Sequence, residues 1–535
     1  MGDGKAKRLG QYFTPDFVAD FMVSLITKPR DALVLEPCAG RGALLRALAR
    51  AGFRNVEAYE IDPTLPNNSP FSVRRADFLQ VRPEERYDVV IGNPPYVRWM
   101  NIPEEWRERF RRERYWSSVM NGFSDLTYAF IYHSVNMLRD GGELIFITPA
   151  FWTETVHGRG LREFLAARGG LEVLVSLGEL RVFDGASPYS TIIFKYVKGR
   201  REGPVKVVEL HATRGRLAPA HLAKVRELLG RLGRGESYVR EGMYEAYLHP
   251  QFRGGGPWRP VPEAEAASNP LLSLAPPPPL WARVSRLGDV ADIGNGMISG
   301  LEEAFRLTDG EASALGGEEG RGVIYVYKAS ALDRYYPSGR PTPYAFVDDV
   351  ASEEELALRY PRIYARLARY RGALLARASL SGDLAWWRWA FPRNRRLFEE
   401  REEKILVPSK ERYDTRGYFR FAYVRGRYYA AQDVTAIFPR PGLREGAKYL
   451  LALLNSRPYQ EYLRRRGFSR GGVYDFSERP LAEVPVIRVD WGDADERRLH
   501  SEIVALVDEI LARRSWRGLA DEVDELVSRL VRSLA

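Results

Sequence analysis

The chain has 535 residues, of which 45% are hydrophobic and 28% are charged, and its formal net charge is +10. This composition excludes global disorder, and the single cysteine, Cys38, excludes a disulfide framework or a cysteine zinc site within one chain. No run of 18 apolar residues occurs, and the first ten residues lack the apolar core of a signal peptide. We therefore expect a cytoplasmic protein with no membrane association and no metal.

Arginine dominates the basic residues, since only 11 of the 80 Lys+Arg residues are lysine. The planar guanidinium donates paired hydrogen bonds to phosphates and base edges, so this bias is compatible with a polyanionic partner. A GC-rich genome or a hot habitat explains the same bias equally well.

Short apolar runs alternate with helical patterns between residues 31 and 200. Strands that alternate with helices favour a mostly parallel sheet, so we predict an α/β fold for this part of the chain. The predicted strands cover residues 32–35, 56–59, 87–91, 143–148, 171–177 and 191–197, and the clearest helices cover 43–50 and 126–138. Residues 201–250 extend the same domain, which we place at 1–250.

The rest of the chain follows a segment rich in glycine and proline. Residues 251–279 end in a run of four prolines (276–279), and such a composition resists helix and sheet and marks a linker. Apolar segments resume after it and predict a second, mixed α/β domain over 280–490. Residues 491–535 read as a C-terminal helical segment in two pieces that break around 515–518.

Asn93-Pro94-Pro95-Tyr96 directly follows the predicted strand 87–91, where open α/β sheets bind ligands. An exocyclic amine on a nucleobase is a poor nucleophile because its lone pair is delocalised into the ring. The side-chain oxygen of Asn93 and the carbonyl of Pro94 can each accept one amine hydrogen, which favours the tetrahedral nitrogen that attacks an electrophile. Proline keeps the corner stiff, and Tyr96 offers a face on which a planar base can stack.

Three further motifs follow the other predicted strands. Glu36-Pro37-Cys38-Ala39-Gly40 opens a glycine turn, and an acidic residue before that turn suits a positively charged ligand. We expect its cysteine to be a small residue beside the glycines and not a nucleophile. Glu60, in Glu60-Ile61-Asp62, ends the next strand, where a carboxylate can accept both hydroxyls of a ribose. Asp77 can accept from an adenine amino group, and Phe78 can cover the ring.

Gly10-Gln11-Tyr12-Phe13-Thr14-Pro15 precedes these motifs. Together they make residues 10–200 resemble the S-adenosylmethionine-dependent DNA adenine-N6 methyltransferases. The resemblance is close to the TaqI type, which belongs to the gamma group of that family. The resemblance implies a Rossmann-like class I methyltransferase domain with a mostly parallel seven-stranded sheet, followed by a DNA target-recognition domain. It also implies S-adenosylmethionine as the cofactor and N6 of a flipped adenine in duplex DNA as the methyl acceptor.

The same resemblance implies roles for individual residues. Catalysis falls to Asn93, Pro94 and Tyr96. The target base stacks on Tyr96 and on an aromatic residue of the strand 190–196, which we take as Tyr196 with Phe194 as the alternative. The cofactor-binding set comprises Thr14 at the methionine carboxylate, Glu36 at the methionine amino group, Glu60 at the ribose, Asp77 and Phe78 at the adenine, and Pro37, Cys38, Ala39, Gly40, Ile61, Asn93, Pro95 and Phe130.

Recognition of the DNA sequence would fall to residues 280–490. Four clusters of arginine and aromatic residues are candidate DNA contacts, and any single cluster is explained as well or better as a solvated or half-buried face. These clusters cover residues 386–389, 393–396, 425–429 and 464–466. We expect a monomer that binds double-stranded DNA, with a cognate restriction endonuclease as a further candidate partner.

The combined prediction is a site-specific DNA methyltransferase that serves as the modification component of a restriction-modification system. Protein-glutamine and some RNA methyltransferases share the tetrapeptide, although the glutamine enzymes lack a long basic C-terminal domain. Glu402-Glu403-Lys404 has the spacing of a nuclease motif, so a bifunctional restriction-modification enzyme is a second alternative. A non-catalytic DNA-specificity protein is the third, and the intact tetrapeptide argues against it.

Overall fold

The computed structural model describes residues 11–184, 190–212, 215–273, 283–380, 384–467, 469–470 and 472–534. The chain divides into two compact units, Met1–Glu265 and Ala266–Ala535. Gly10 of the predicted N-terminal motif and the prolines 276–279 lie outside the described residues.

One sheet forms the centre of the first unit. A parallel sheet that is covered on both faces buries nearly every strand residue, which is why apolar runs in the sequence mark its strands well. The strands are β1 (Val34–Glu36), β2 (Val56–Tyr59), β3 (Val73–Arg74), β4 (Tyr87–Gly92), β5 (Leu138–Pro149), β6 (Gly169–Ser176), β7 (Thr191–Lys198), β8 (Val205–Leu210), β9 (Tyr238–Glu241) and β10 (Tyr244–His249). The six predicted strands are confirmed.

The helices connect these strands and cover the sheet. The predicted helices at 43–50 and 126–138 are confirmed, the second ending one residue early. The helices are α1 (Asp16–Ser24), α2 (Ala43–Arg50), α3 (Glu104–Arg112), α4 (Arg114–Ser117), α5 (Leu126–Met137), α6 (Phe151–Glu154), α7 (Arg159–Arg168) and α8 (Pro219–Arg231), and α9 (Glu263–Ser268) follows at the boundary of the units.

The strands lie in the order β3-β2-β1-β4-β5-β7-β6-β8-β10-β9. Strands β1 to β5 run parallel, and β7 is antiparallel to both of its neighbours, β5 and β6. The strand order reverses between β1 and β4, the point where open α/β sheets bind ligands. The sheet has ten strands rather than the expected seven, because β8, β10 and β9 continue it beyond β6.

Neighbouring residues of a strand enter two different cores. Val34 and Val89 belong to one hydrophobic cluster, which helices α1, α2 and α8 complete. Leu35 and Val90 belong to the other, which α5 and α7 complete. Side chains alternate across a strand, so this double coverage explains why the central strands show continuous apolar runs rather than alternation.

The segment 251–279 is partly structured. We expected it to resist helix formation, and this is wrong for residues 263–268, which form α9. Its first part packs on the first unit through Trp258, which is buried and stacks on Phe252 with ring centroids 5.5 Å apart. Proline and glycine content therefore marked the boundary region but did not predict its contacts.

Arg162 of α7 holds this first part in place. Its side chain is only 1% exposed, and among the described residues main-chain carbonyls rather than carboxylates accept its hydrogen bonds. Five hydrogen bonds of 2.7–3.0 Å run from the guanidinium to main-chain carbonyls of Trp152, Thr155, Gly255 and Gly256. Burial lowers the pKa of Arg162 to about 10, which still leaves it charged near neutral pH.

The second unit combines several small sheets with helices. Its described strands pair as β11-β22, β12-β19-β15-β17, β14-β13-β18 and β16-β21-β20. Their bounds are β11 (Val284–Arg286), β12 (Ala291–Asn295), β13 (Val323–Tyr327), β14 (Thr342–Ala345), β15 (Glu403–Pro408), β16 (Lys410–Glu411), β17 (Ala422–Arg425), β18 (Tyr429–Ala430), β19 (Val434–Pro439), β20 (Ser469–Arg470), β21 (Val473–Asp475) and β22 (Pro485–Ile487).

The helices of the second unit include the two predicted at its C-terminal end. They are α10 (Leu287–Val290), α11 (Glu302–Phe305), α12 (Asp309–Ala314), α13 (Glu353–Arg359), α14 (Pro361–Ala368), α15 (Arg371–Leu380), α16 (Arg395–Glu400), α17 (Gly446–Asn455), α18 (Arg457–Arg466), α19 (Glu478–Ala482), α20 (Ala494–Arg513) and α21 (Leu519–Arg532). Ile503 of α20 and Val523 of α21 are buried in one cluster with Leu450 of α17, so the predicted helical pair packs on this unit. None of the described helices is both long and apolar enough to cross a membrane.

Replacing Arg162 with methionine should destabilise the first unit, because four buried or partly buried carbonyls would lose their hydrogen-bond donor. We expect a loss of about 2–4 kcal/mol in the free energy of unfolding, measured by urea denaturation. Arg159→Met is the matched control, since that exposed arginine in the same helix pairs with an exposed glutamate and its loss should barely move the midpoint. Equal midpoints for the two variants would contradict the anchoring role of Arg162.

Candidate active site

Three of the predicted motifs leave the sheet from neighbouring strands. Glu36 ends β1, Glu60 follows β2 and Asn93 follows β4, and the sheet places β2, β1 and β4 side by side. These strands are parallel, so their carboxyl ends lie at one edge. The structure thus brings the glycine turn, the acidic strand end and the tetrapeptide together where the strand order reverses.

The side-chain amide of Asn93 is oriented by the N-terminal segment. Its Nδ2 donates to the carbonyl of Tyr12 at 2.7 Å and to Oγ1 of Thr14 at 3.1 Å. A carbonyl can only accept, so this contact fixes which end of the amide is nitrogen. Oδ1 of Asn93 is buried and has no hydrogen-bond partner in the part of the chain that the structure describes. The amide therefore presents an unsatisfied acceptor, which is costly unless a ligand supplies a donor.

The main chain of the tetrapeptide is held from two sides. Sγ of Cys38 donates to the carbonyl of Asn93 at 3.1 Å, and Oγ1 of Thr127 donates to the carbonyl of Pro95 at 3.2 Å. Burial and the nearby charges of Glu36 and Glu60 raise the pKa of Cys38, so its thiol stays protonated. Cys38 thus acts as a hydrogen-bond donor here, which agrees with the expectation that it is not a nucleophile.

Glu36 is a buried carboxylate that meets no counter-charge in the described part of the chain. It is 1% exposed, and neither oxygen meets a hydrogen-bond partner among the described residues. Burial and the charge of Glu60 raise the pKa of Glu36 well above 4.5, against a smaller opposing effect of the Cys38 backbone. An ionised group in this setting is stabilised only when a cation joins it, so the site has the electrostatics for a positively charged ligand.

The glycine turn is fastened to the end of β2. Oε2 of Glu60 accepts the N–H of Gly40 at 2.8 Å, Oε1 accepts the N–H of Asp62 at 2.8 Å, and the N–H of Ala39 donates to the carbonyl of Tyr59 at 2.8 Å. Gly40 has a φ of +54°, which favours glycine. Glu60 therefore shapes the turn in addition to any contact with a ligand hydroxyl.

Close packing joins the glycine turn to the tetrapeptide strand. A Cβ on Gly92 would lie 3.1 Å from the ring of Phe146 and 3.2 Å from Pro37. The last residue of β4 must therefore be small, because Pro37 occupies the space that a side chain would need. This contact keeps Asn93 next to the turn.

Apolar side chains lie near the two carboxylates. Ile61 is 54% exposed beside Glu60 and offers an open apolar face. Phe78 and Phe130 are almost fully buried and pack on each other with ring centroids 5.6 Å apart. Phe78 and Phe130, which we predicted from separate motifs, thus form one packed aromatic pair.

Asp77 begins the turn that leads into Phe78. Its Oδ1 accepts the N–H of Leu79 at 3.0 Å, and its Oδ2 accepts from the Gln80 side chain at 3.4 Å. Burial raises the pKa of Asp77. The carboxylate caps this turn and keeps lone pairs for a further donor.

Three aromatic rings pack together at the tetrapeptide, and the sequence did not predict this cluster. The ring of Tyr96 lies 5.3 Å from Tyr12 and 5.9 Å from Phe183, and Tyr12 lies 5.8 Å from Phe183, measured between centroids. The hydroxyl of Tyr96 donates to the carbonyl of Ile147 at 3.2 Å, which fixes the ring at the edge of the sheet. Phe183 lies in an irregular loop, where neither periodicity nor a motif singles it out.

The structure contradicts the expectation that Tyr196 stacks on a target base. Tyr196 is fully buried, and its hydroxyl donates to the carbonyl of Leu165 in α7 at 3.0 Å. The alternative, Phe194, is also fully buried and packs against Trp152. Both point into the core between β7 and the helices, so neither offers a free ring face, whereas Phe183 lies against Tyr96.

Part of the expected DNA-binding surface of the second unit is core instead. Trp386, Trp387 and Trp389 are buried in one hydrophobic cluster, so for these candidate contacts the structure agrees with packing and not with contact to DNA. In the other clusters, Arg396 and Arg427 are largely exposed. Packing buried these tryptophan rings, while Arg396 and Arg427 remained at the surface.

The nuclease-like spacing of Glu402-Glu403-Lys404 belongs to a structural strand. Lys404 in β15 is fully buried, and its Nζ donates to the carbonyl of Gly426 at 2.7 Å. Burial lowers the pKa of Lys404 to about 8. Because its ammonium is bound to the main chain rather than placed between carboxylates, this segment gives no support to a nuclease centre.

Among the described residues, one group has the donor spacing for a metal ion. Glu209, His211 and Glu245 lie around β8 and β10, remote from the strand ends described above. Nε2 of His211 is 2.7 Å from Glu245, and the hydroxyl of Tyr247 donates to Glu209 at 2.7 Å. These side chains already satisfy one another and lie apart from the candidate active site.

Comparisons with known proteins agree with this geometry. Residues 2–58 match the family described as N-6 DNA Methylase, and residues 54–183 match the Eco57I restriction-modification methylase family. The chain is 35% identical over 525 residues to the Type II methyltransferase M.HindII of Haemophilus influenzae, with 96% of each chain covered. It is 33% identical over 517 residues to the Type II methyltransferase M.HincII of the same species, again with 96% of each covered.

A solved structure shows the same fold at low identity. The Type IIL restriction-modification enzyme MmeI, determined in complex with DNA, matches with a TM-score of 0.57 and 10% identity. The match covers 97% of this chain and 72% of that chain. At this identity the likeness concerns the fold alone.

Glu36→Gln should stabilise the ligand-free protein near neutral pH. The folded protein favours the neutral carboxyl, so the stability that this group contributes is full below about pH 4.5 and is lost as the pH rises through its raised folded-state pKa. Glutamine stays neutral throughout, so the variant should melt with the wild type near pH 4.5 and at a higher temperature near pH 8.

Glu57→Gln is the control of opposite sign for this measurement. Partial burial acts to raise the pKa of Glu57, but hydrogen bonds from Arg86 and Tyr87 outweigh it and lower the pKa. Loss of this carboxylate should therefore lower the melting temperature near pH 8. A Glu36→Gln protein that melts below the wild type at that pH would show that the carboxylate has a partner in the ligand-free state.

Proposed function

Because this chain belongs to the Type II DNA methyltransferases of restriction-modification systems that methylate N6 of adenine, we propose that the corner at residues 93–96 is its catalytic centre. The enzyme transfers a methyl group from S-adenosylmethionine to adenine at specific sites in DNA. We assign it to the gamma group and the TaqI type, since the cofactor motifs precede the tetrapeptide and the predicted recognition domain follows it.

The orientation of Asn93 carries the catalytic assignment. Its Nδ2 is engaged by Tyr12 and Thr14, and its buried Oδ1 still lacks a donor among the described residues. In our proposal Oδ1 accepts one hydrogen of the adenine amino group, and the carbonyl of Pro94 accepts the other. Both bonds favour a tetrahedral nitrogen and bring its lone pair out of conjugation with the ring. Positioning then supplies most of the acceleration.

The residues at the strand ends fit the methyl donor. When bound, S-adenosylmethionine supplies an electrophilic sulfonium methyl group. The buried, unpaired carboxylate of Glu36 suits the ammonium of its methionine part, and Thr14 suits the carboxylate. The further proposed contacts are the turn of Pro37, Cys38, Ala39 and Gly40, the ribose-facing Glu60, the adenine-facing Ile61, Asp77 and Phe78, and Asn93, Pro95 and Phe130.

Thr14 connects the two halves of the reaction in this proposal. Its Oγ1 accepts from Nδ2 of Asn93 at 3.1 Å, and the same hydroxyl can donate its hydrogen to the carboxylate of the methyl donor. The residue that orients the catalytic amide is thus also a donor-binding residue. Binding of the methyl donor and the orientation of the Asn93 amide are therefore coupled through the side chain of Thr14.

The target adenine must leave the duplex to reach Asn93. We propose that it then stacks on Tyr96 and Phe183, whose rings lie 5.9 Å apart at the tetrapeptide. Tyr12, from the N-terminal segment, packs against both of these rings. Phe183 takes the role that we first assigned to the strand aromatic Tyr196.

Recognition of the DNA sequence is assigned to residues 280–490, with the helical pair of residues 491–535 packed on them. Exposed arginines of this unit, such as Arg396 and Arg427, and the net charge of +10 support contact with double-stranded DNA. We further propose that the enzyme works as a monomer in the cytoplasm, alongside a cognate restriction endonuclease that cuts the unmodified site.

Asn93→Ala should reduce methyl transfer into duplex DNA by about 100- to 1,000-fold, because the amine loses its acceptor in the reacting state. Incorporation of tritiated methyl groups measures this, and calorimetry should show that the variant still binds S-adenosylmethionine. Glu36→Gln provides the converse result, with weakened cofactor binding. If Asn93→Ala methylated duplex DNA at the wild-type rate, the catalytic assignment would be wrong.

Phe183→Ala should weaken capture of the extruded base by roughly 5- to 100-fold, the range that one lost base–aromatic stack produces. Fluorescence of 2-aminopurine at the target position reports base extrusion, and kcat/KM should fall in parallel. Tyr196→Phe is the control, since it removes only a buried hydroxyl and should leave capture unchanged. Loss of capture in Tyr196→Phe with none in Phe183→Ala would reverse the assignment.

A further inference from the structure

One aromatic ring near the catalytic corner is exposed to solvent. Phe123 is 73% exposed, and its ring stacks on His157 with centroids 4.5 Å apart and an angle of 22° between the planes. Exposing a large apolar ring forgoes the stabilisation that burial would give. A single exposed apolar ring is common at protein surfaces, so the position and the neighbours of Phe123 decide what it can contact.

The loop that carries Phe123 is rigid. Oδ1 of Asn121 accepts the N–H of Phe123 at 3.1 Å, and Nδ2 of Asn121 donates to the carbonyl of His157 at 3.1 Å. Oγ of Ser124 accepts the N–H of Asn121 at 2.9 Å, and the N–H of Ser124 donates to the carbonyl of Asn121 at 3.0 Å. The ring is therefore held in one place before any partner arrives, which lowers the entropic cost of a contact.

The same loop is bonded to the catalytic corner. The N–H of Leu126 donates to the carbonyl of Val97 at 2.8 Å, and Oγ1 of Thr127 donates to the carbonyl of Pro95 at 3.2 Å. Phe123 precedes Leu126 by three residues, so its backbone lies within about 11 Å of that contact. Phe123 thus belongs to the segment that packs on the proposed catalytic corner, where DNA would deliver an adenine to Asn93.

The surroundings of the ring suit DNA. Arg98 pairs with Asp125 of the same loop through a short backbone bridge, and its side chain is exposed. Met100, also largely exposed, follows two residues later. A positive charge beside exposed apolar side chains is the combination that minor-groove proteins use when they place Phe, Leu or Met between base pairs.

We infer that Phe123 inserts into the DNA base stack beside the target adenine and supports the opened duplex while the adenine lies at Asn93. The inference rests on the proposed extrusion of the base. Extrusion leaves a gap in the stack, and a planar apolar ring that fills it offsets part of the cost of unstacking. Phe123 is on this view a positioning residue, which acts on the duplex and not on the reacting atoms.

The decisive measurement compares two substrates. One is a fully paired duplex, and the other carries an abasic site opposite the target adenine, which removes the pairing that resists extrusion. Phe123→Ala should slow single-turnover methyl transfer on the paired duplex on the order of tenfold, and most of that loss should disappear on the abasic duplex. With 2-aminopurine at the target position, the variant should show reduced fluorescence on the paired duplex only.

Three further variants make the result interpretable. Phe123→Leu keeps an apolar wedge and should retain most of the wild-type rate. Tyr238→Ala removes another exposed aromatic ring of the first unit, on the outermost strand β9, and should behave as the wild type on both substrates. Asn93→Ala should be slowed strongly and to the same extent on both substrates, so a failure of the proposed catalytic centre is distinguishable from a failure of the wedge.

Two results would overturn the inference. Equal losses for Phe123→Ala on the two substrates would identify the ring as a general DNA contact, and wild-type rates on the paired duplex would show that the ring has no part in extrusion. Because Phe123 is mostly exposed, its variants should melt with the wild type. A large drop in melting temperature would itself contradict the description of a ring poised outside the core.

Discussion

The side-chain amide of Asn93, which we propose to be catalytic, depends on two hydrogen bonds between segments far apart in the chain. Nδ2 of Asn93 donates to Tyr12 and Thr14, 81 and 79 residues earlier. These bonds prevent the amide from turning over, and the thiol of Cys38 holds the main-chain carbonyl beside it. The acceptor that the proposed reaction needs would thus be in place when the protein folds, so little reorganisation would remain for the moment of reaction.

The same arrangement leaves two buried groups incompletely satisfied. Oδ1 of Asn93 and both oxygens of Glu36 lack partners among the described residues, and each unmet group costs stability. The two cores on either side of the sheet can support that cost because strands such as β4 are buried on both faces. Stability is thus lowered where substrate and methyl donor must supply the missing contacts.

Residue types alone did not separate surface from core. Tryptophans and arginines occur together at residues 386–389, yet packing buried the tryptophans. Phe123 shows the reverse, since the fold leaves this apolar ring outside, where it stacks on His157, 34 residues later. In both cases the neighbours of a ring decide its role, and short sequence patterns do not show those neighbours.

The sequence by itself determined six strands and two helices of the first unit, the place of Glu36, Glu60 and Asn93 at strand ends, and the class of reaction. Local signals suffice for these features, because apolar runs, turn glycines and a stiff proline corner act over a few residues. Only the tertiary structure decided that Tyr196 is core and that Phe183 lies against Tyr96. The position of each ring depends on what packs against it. Tyr196 meets the carbonyl of Leu165 in a helix, and Phe183 meets the ring of Tyr96. No short stretch of sequence encodes either contact.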